Sequence, residues 1–197
     1  SLISIAGPSL MIRDFALRNG EQSLSARTTK PGDVVITFGD FNLSTPSRLL
    51  FSEEETAAGI VNGTIGLDNA LTNLGIQSNL SVNQLKYAGT LLGDVVAEVN
   101  SSNEQIYKVD VRVKEAGNNA TLQGTMELDG PLNLVLDVTK LQLAAAEPFS
   151  LGYLDNSEGY VSGRVNIGGT IDAPDLDGSL KFNDASLIIS LLGERYR

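Results

Sequence analysis

From Gly159 to Ile167 the chain reads G-Y-V-S-G-R-V-N-I. Val161, Gly163, Val165 and Ile167 fall on one side of this stretch, and Ser162, Arg164 and Asn166 on the other. A period of two belongs to a β-strand with one oily and one polar face, and no helix satisfies it. Gly168-Gly169 then lead into an Asp172-Ala173-Pro174-Asp175 break, and Gly178 opens a second alternating run. There Leu180 and Phe182 face one way, and Ser179, Lys181 and Asn183 the other. Whatever fold this chain adopts must either cover that oily face or use it.

The same alternation fills most of the chain. Tyr107, Val109, Val111 and Val113 oppose Lys108, Asp110, Arg112 and Lys114. Leu122, Gly124 and Met126 alternate with Gln123, Thr125 and Glu127, and Leu132 to Val138 continues the series. Towards the N-terminus, strands are expected over Leu2–Ala6 and Leu10–Leu17, with a hairpin at Asn19-Gly20 leading into Leu24–Thr28. After a Lys30–Asp33 turn, Val34, Ile36 and Phe38 alternate, and the apolar phase then jumps to Phe41, which predicts a bulge. Ile76 to Val82 reads as a strand, followed by a run through Leu85, Tyr87, Gly89 and Leu91 and another through Val95, Ala97 and Val99. Ser52–Ala58 carries an N-cap residue and an acidic first turn, and is expected to form one helical turn. Ala144 to Pro148 is a second place for a short helical piece. A dozen or more short strands are implied, for which the usual architecture is a sandwich or a barrel.

An internal repeat points elsewhere. Gly59, Val61 and Gly63 match Gly159, Val161 and Gly163 when the chain is slid against itself by one hundred residues. Ile65 and Leu67 then meet Val165 and Ile167, Leu80 meets Leu180, and Leu91-Leu92-Gly93 meets Leu191-Leu192-Gly193. Residues 1–100 and 101–197 are therefore read as two units of one continuous elongated domain, with the first 30 or so residues only loosely assigned. The expected fold is all-β: an elongated, curved antiparallel sheet folded into an open apolar groove, with at most short helical turns. The chain begins and stops within the pattern, as a piece of a longer protein would.

Composition removes chemistry. The 197 residues include no histidine and no cysteine, so Ser-His-Asp and Cys-His catalysis, thiolate zinc and disulfides are all excluded. The formal net charge of −10 argues against nucleic acid as a partner. Asp172, Asp175 and Asp177 do not have the spacing of a calcium loop. Glu53-Glu54-Glu55 reads as a solvated turn rather than an acid–base pair. The Asn-x-Ser/Thr sequences at Asn42, Asn62, Asn79, Asn100 and Asn119 are expected by chance in a chain this rich in Asn, Ser and Thr. No apolar run approaches the length of a membrane-spanning helix. The reading is non-enzymatic, with no cofactor and no metal.

The segment from Leu132 to Tyr196 resembles the repeating unit of the TamB family, within the AsmA-like group of translocation and assembly module proteins. The resemblance rests on the alternating strand from Leu132, the Ala/Pro/Phe segment Ala144–Phe149, the G-x-V-x-G-x-V-x-I strand, the G-T-x-x-x-P-x-x-x-G hairpin from Gly169 to Gly178, and Leu192-Gly193. Residues 34 to 99 are similar to a degenerate copy that lacks the Pro-Asp-Leu-Asp-Gly hairpin. The resemblance implies a β-taco groove in the periplasm of a Gram-negative bacterium, in a protein anchored in the inner membrane. It also implies an Omp85-type outer-membrane barrel, TamA-like, as partner. The implied role is conduction of phospholipid between the membranes, with links to outer-membrane protein assembly.

Phospholipid acyl chains are accordingly the expected ligand. The alternation nominates Ile36, Phe38, Val61, Ile65, Val109, Val111, Val113 and Leu122 as groove lining. Met126, Leu134, Leu136, Val161, Val165, Ile167, Leu180 and Phe182 complete the set. Three alternatives stay open at this point. The same residues can form an ordinary closed core, the chain can be a β-repeat scaffold or adhesin of the bacterial surface, or the groove can be a chaperone that takes up strands of outer-membrane proteins.

Overall fold

The computed structural model describes residues 2–6, 9–44, 57–69, 74–101, 106–150, 154–189 and 194–196. Among these residues, fourteen strands run in chain order. They are β1 (Leu2–Ala6), β2 (Ser9–Arg13), β3 (Phe15–Asn19), β4 (Gln22–Lys30), β5 (Asp33–Asn42), β6 (Ala57–Asp68) and β7 (Gly75–Tyr87). Next come β8 (Thr90–Ser101), β9 (Ile106–Glu115), β10 (Asn118–Glu127) and β11 (Leu132–Gln142). A short helix α1 (Leu143–Ala146) and a 3-10 turn (Glu147–Phe149) lead to β12 (Leu154–Gly169), β13 (Pro174–Ile189) and β14 (Glu194–Tyr196). Twelve of the strands, β3 to β14, form one antiparallel sheet in sequence order, and β1 and β2 form a separate pair. The sheet is curved and does not close into a barrel.

Every connection in the large sheet is between sequence neighbours, so turn chemistry sets the architecture. The Asn19-Gly20 hairpin forms as expected, with Asn19 opposite Gln22. Lys30 faces Asp33 across the Pro31-Gly32 turn. The expected bulge after Phe38 is present, as a register shift between Phe38 and Phe41 with Asp40 at φ 44°. The helical piece in Ala144–Pro148 is there as α1 and the 3-10 turn.

Other expectations need correcting. Leu10–Leu17 is not one strand: Asp14, at φ 49°, divides it into β2 and β3. The run through Leu85, Tyr87, Gly89 and Leu91 is the end of β7, an Ala88-Gly89 turn and the start of β8, both turn residues having positive φ. The strand after the Gly168-Gly169 break starts at Pro174, before Gly178. The strands are also longer than expected, reaching sixteen residues in β12 and β13. Of the helical turn expected over Ser52–Ala58, residues 52–56 lie outside the described residues, and Ala57 and Ala58 open β6.

The repeat is visible in the pairing. Val34, Ile36, Phe38 and Phe41 face Leu67, Ile65, Gly63 and Val61. One hundred residues on, Leu134, Leu136, Val138 and Leu141 face Ile167, Val165, Gly163 and Val161. The next ladder repeats likewise: Gly63 opposite Leu80 becomes Gly163 opposite Leu180, and Val61 opposite Val82 becomes Val161 opposite Phe182. Even the irregularities recur. The shift at Phe38/Phe41 returns at Val138/Leu141, and the positive φ of Gln84 returns at Asp184. Strands β5–β7 and β11–β13 thus share one register six strands apart.

Candidate functional site: an apolar trough

Residues paired across an antiparallel ladder project to the same face. Chaining the pairs yields rows that cross the sheet. One row runs Leu17, Leu24, Phe38, Gly63, Leu80 and Ala97 across β3 to β8. It continues through Val111, Leu122, Leu136, Val165 and Gly178 across β9 to β13. A second row joins Ile36, Ile65, Ser78, Val99, Val109, Gly124, Leu134, Ile167 and Leu176. A third passes through Phe41, Val61, Val82, Val95, Val113, Ala120, Val138, Gly163 and Leu180. None of the three carries a charge.

All sixteen nominated lining residues lie on this one face. Thirteen stand in the three rows just given, Met126 lies opposite Tyr107 and Leu132 in a fourth, and Val161 and Phe182 face each other in a fifth that also holds Leu141. The ladder adds residues that the sequence reading left out, among them Leu80, Val82, Val95 and Val138. Their signal was available, since each is in phase with a nominated neighbour.

The face is apolar but not closed. Val61, Leu134 and Val161 are buried, Leu180 and Phe182 are 42% and 54% exposed, and the other eleven nominated residues are half-buried. No member of the first row is fully buried, although its middle strands are the centre of the sheet. The chain exposes 12281 Å², whereas a compact globule of 20.9 kDa presents about 9,000 Å². Near β13 the trough widens into an open concavity of about 340 Å³ beside Val165, Leu176, Leu180 and Phe182.

One margin of the trough is sealed. Leu143 of α1 packs with Ala120, Val138 and Val161, backed by Leu136, Leu141 and Ala185. The Glu147 carboxylate accepts the Ser157 N–H, which ties the 3-10 turn to β12. Asn118, 4% exposed, donates from Nδ2 to the Leu92 carbonyl at 2.8 Å and accepts the Gln142 N–H at 2.8 Å. It thereby stitches β8 to the end of β11, where α1 departs. At the opposite margin the Tyr107 hydroxyl donates to the Leu74 carbonyl at 2.5 Å.

Glycines let the strands bend where side chains would collide. Gly63 and Gly163 have φ of 126° and 144°, and a Cβ there would lie 2.0 Å from the Asn79 carbonyl oxygen and 2.2 Å from that of Ser179. No other residue fits such an approach.

The opposite face is polar. Arg112 donates to both carboxylate oxygens of Asp110 at 2.9 Å, and Gln123 donates to one of them at 2.8 Å. The Arg112 hydrogen bonds hold the Asp110 carboxyl below its usual range, against a smaller opposing effect of burial. Arg164 pairs with Asp137 across β11 and β12 at 2.6 Å. Among the described residues no group of acidic side chains is placed to hold a metal ion. No helix among them is long and apolar enough to cross a membrane. Asp172, Asp175 and Asp177 are exposed at the β12–β13 hairpin. Glu53-Glu54-Glu55 lies outside the described residues. Comparison with known proteins finds no family model, no curated protein and no solved structure that matches the chain.

Proposed function

We propose that the trough carries lipid acyl chains. The observation behind this reading is the uncharged apolar face that runs unbroken from β3 to β13 yet leaves its central row only half-buried. An acyl chain gains about 0.8 kcal/mol per methylene on leaving water, so ~16 carbons amount to ~13 kcal/mol. Any path between two membranes must therefore stay oily throughout. Movement along it also needs near-equal affinity at each step. Rows made almost wholly of aliphatic residues, phenylalanine and glycine, without a fixed charge, provide that: tails slide, and headgroups remain in water at the open lip.

In this reading the chain is a TamB-like periplasmic segment of a protein anchored in the inner membrane of a Gram-negative bacterium. It passes phospholipid towards an Omp85-type outer-membrane barrel and supports assembly of the outer membrane, without catalysis. A surface scaffold or adhesin would call for a dry core, and the half-buried first row is what favours lipid over that alternative. The test is a photocrosslinking residue placed at Val111 or Val165 in cells. Phospholipid should be captured from both positions; adducts with protein alone would end the proposal.

A further inference from the structure

Among the described residues, the last long strand of the sheet is bordered on its outer side only near its end. β13 pairs with β12 from Pro174 to Ile189, whereas β14 meets it only at Leu187–Ile189. Among the described residues, no strand borders β13 from Pro174 to Asn183 on its outer side. The most exposed large apolar side chain among the described residues is here: Leu176 at 65%, with Phe182 and Leu180 beside it. An edge so long and so oily is an open template for another strand.

The hydrogen-bonding phase of this edge follows from its hairpin. Thr170 and Ala173 exchange both backbone hydrogen bonds, so pairs alternate outward from them. Asp175, Asp177, Ser179 and Lys181 bond to β12, and the N–H and C=O groups of Leu176, Gly178, Leu180 and Phe182 point to the open side. On β7, the equivalent strand of the first copy, that side is filled by β8, with Leu80 opposite Ala97 and Val82 opposite Val95.

We propose that a second copy of this chain fills it, through β13 paired antiparallel with β13 about a two-fold axis at Ser179. The outward-pointing residues then bond to one another, Gly178 with Leu180 and Leu176 with Phe182 of the second copy. On the polar face each Asp177 meets the Lys181 of the other copy, in the close non-hydrogen-bonded positions where opposite charges attract. Both like-faced rules are obeyed: apolar meets apolar in the trough, and acid meets base outside it. An axis perpendicular to the sheet keeps the two oily faces on one side, so two troughs join into one of double length. The interface is isologous and closes on itself. With one strand from each copy it is small, so the dimer belongs to micromolar concentrations. This inference does not rest on the lipid reading.

The chain has no cysteine, which makes Ser179→Cys a sole thiol. Across the axis the two Cα atoms stand about 4.5 Å apart, within disulfide reach. Asp175→Cys puts its two thiols eight residues apart along the pair, about 26 Å. Mild oxidation of the full chain should convert S179C to a disulfide dimer and leave D175C monomeric. K181D should lower the S179C dimer yield about tenfold, and D177K added to K181D should restore it. Equal cross-linking of both cysteine variants would show random collision and overturn the proposal. So would an S179C chain that stays monomeric, whose edge would then belong to a strand from some other polypeptide or from further along a longer chain. Failure of the double charge exchange to restore the dimer would overturn the register.

Discussion

Two valines on the same face separate an open trough from a closed core. Val138 is 3% exposed and packed against Leu143 and Val161, whereas Val165 is half-buried beside the open concavity. Val138→Asp forfeits the burial of a whole valine, about 1.5–3 kcal/mol, and leaves an unpaired carboxylate in an apolar cluster for several kcal/mol more. A loss of at least ~4 kcal/mol is expected, comparable with the whole stability of many domains. At Val165 the carboxylate turns into the concavity and keeps its water. Only part of the valine's burial is forfeited there, so about 1–2 kcal/mol should be lost. Urea unfolding followed by far-UV circular dichroism at pH 7 measures both, with an unchanged slope as the check that the folded state is the same. The folded Val165→Asp chain should then bind a fluorescent single-chain fatty acid about thirtyfold more weakly, because two or three methylenes, ~2 kcal/mol, lose their contact. Equal destabilisation by the two substitutions would refute the open trough. Undiminished fatty-acid binding would refute the assignment of Val165 to the lining.

Other outcomes follow from single contacts. Gly163→Ala should cost about 3 kcal/mol or more, since its Cβ meets the Ser179 carbonyl, and Gly63→Ala should cost a similar amount; Gly168→Ala, whose Cβ has 3.9 Å of room, should change stability by less than ~0.5 kcal/mol. Asn118→Ala breaks a buried two-sided bridge and should lower stability by about 2–4 kcal/mol in the same urea assay. Tyr107→Phe leaves the Leu74 carbonyl without its donor and should lower it by about 1–1.5 kcal/mol. The carboxyl of Asp110 is held below 3.8, so its stabilising contribution is present above that pH and is lost as pH falls through the depressed value. A carbon-detected NMR titration should show Arg112→Gln moving that midpoint upwards.

Alternation alone was enough to place every nominated residue on one face. Side-chain direction in a strand depends on nothing but parity, and Val161, Val165 and Ile167 kept theirs. The one-hundred-residue repeat was equally readable, because the glycine spacing that marks it is also what bends the strands. Turns with ordinary residues were harder. Ala88 and Asp14 adopt positive φ without being glycine or asparagine, so the β7–β8 hairpin and the β2–β3 break carried no strong local signal. The degree of burial could not be read at all. Whether Leu180 is covered depends on which strand lies beyond β13, and parity is blind to that.

The repeat has a geometric consequence. The row through Phe38 in β5 reaches β11 at Leu136, although the residue equivalent to Phe38 is Val138. Each six-strand period therefore shears the sheet by two residues. That is about 7 Å along the strands for every ~29 Å across them, a slope near 13°. A path that follows the rows drifts steadily towards one lip of the trough, while a path that follows equivalent residues stays centred. An array of such units would wind, and its oily surface would turn as a shallow screw rather than run as a straight gutter.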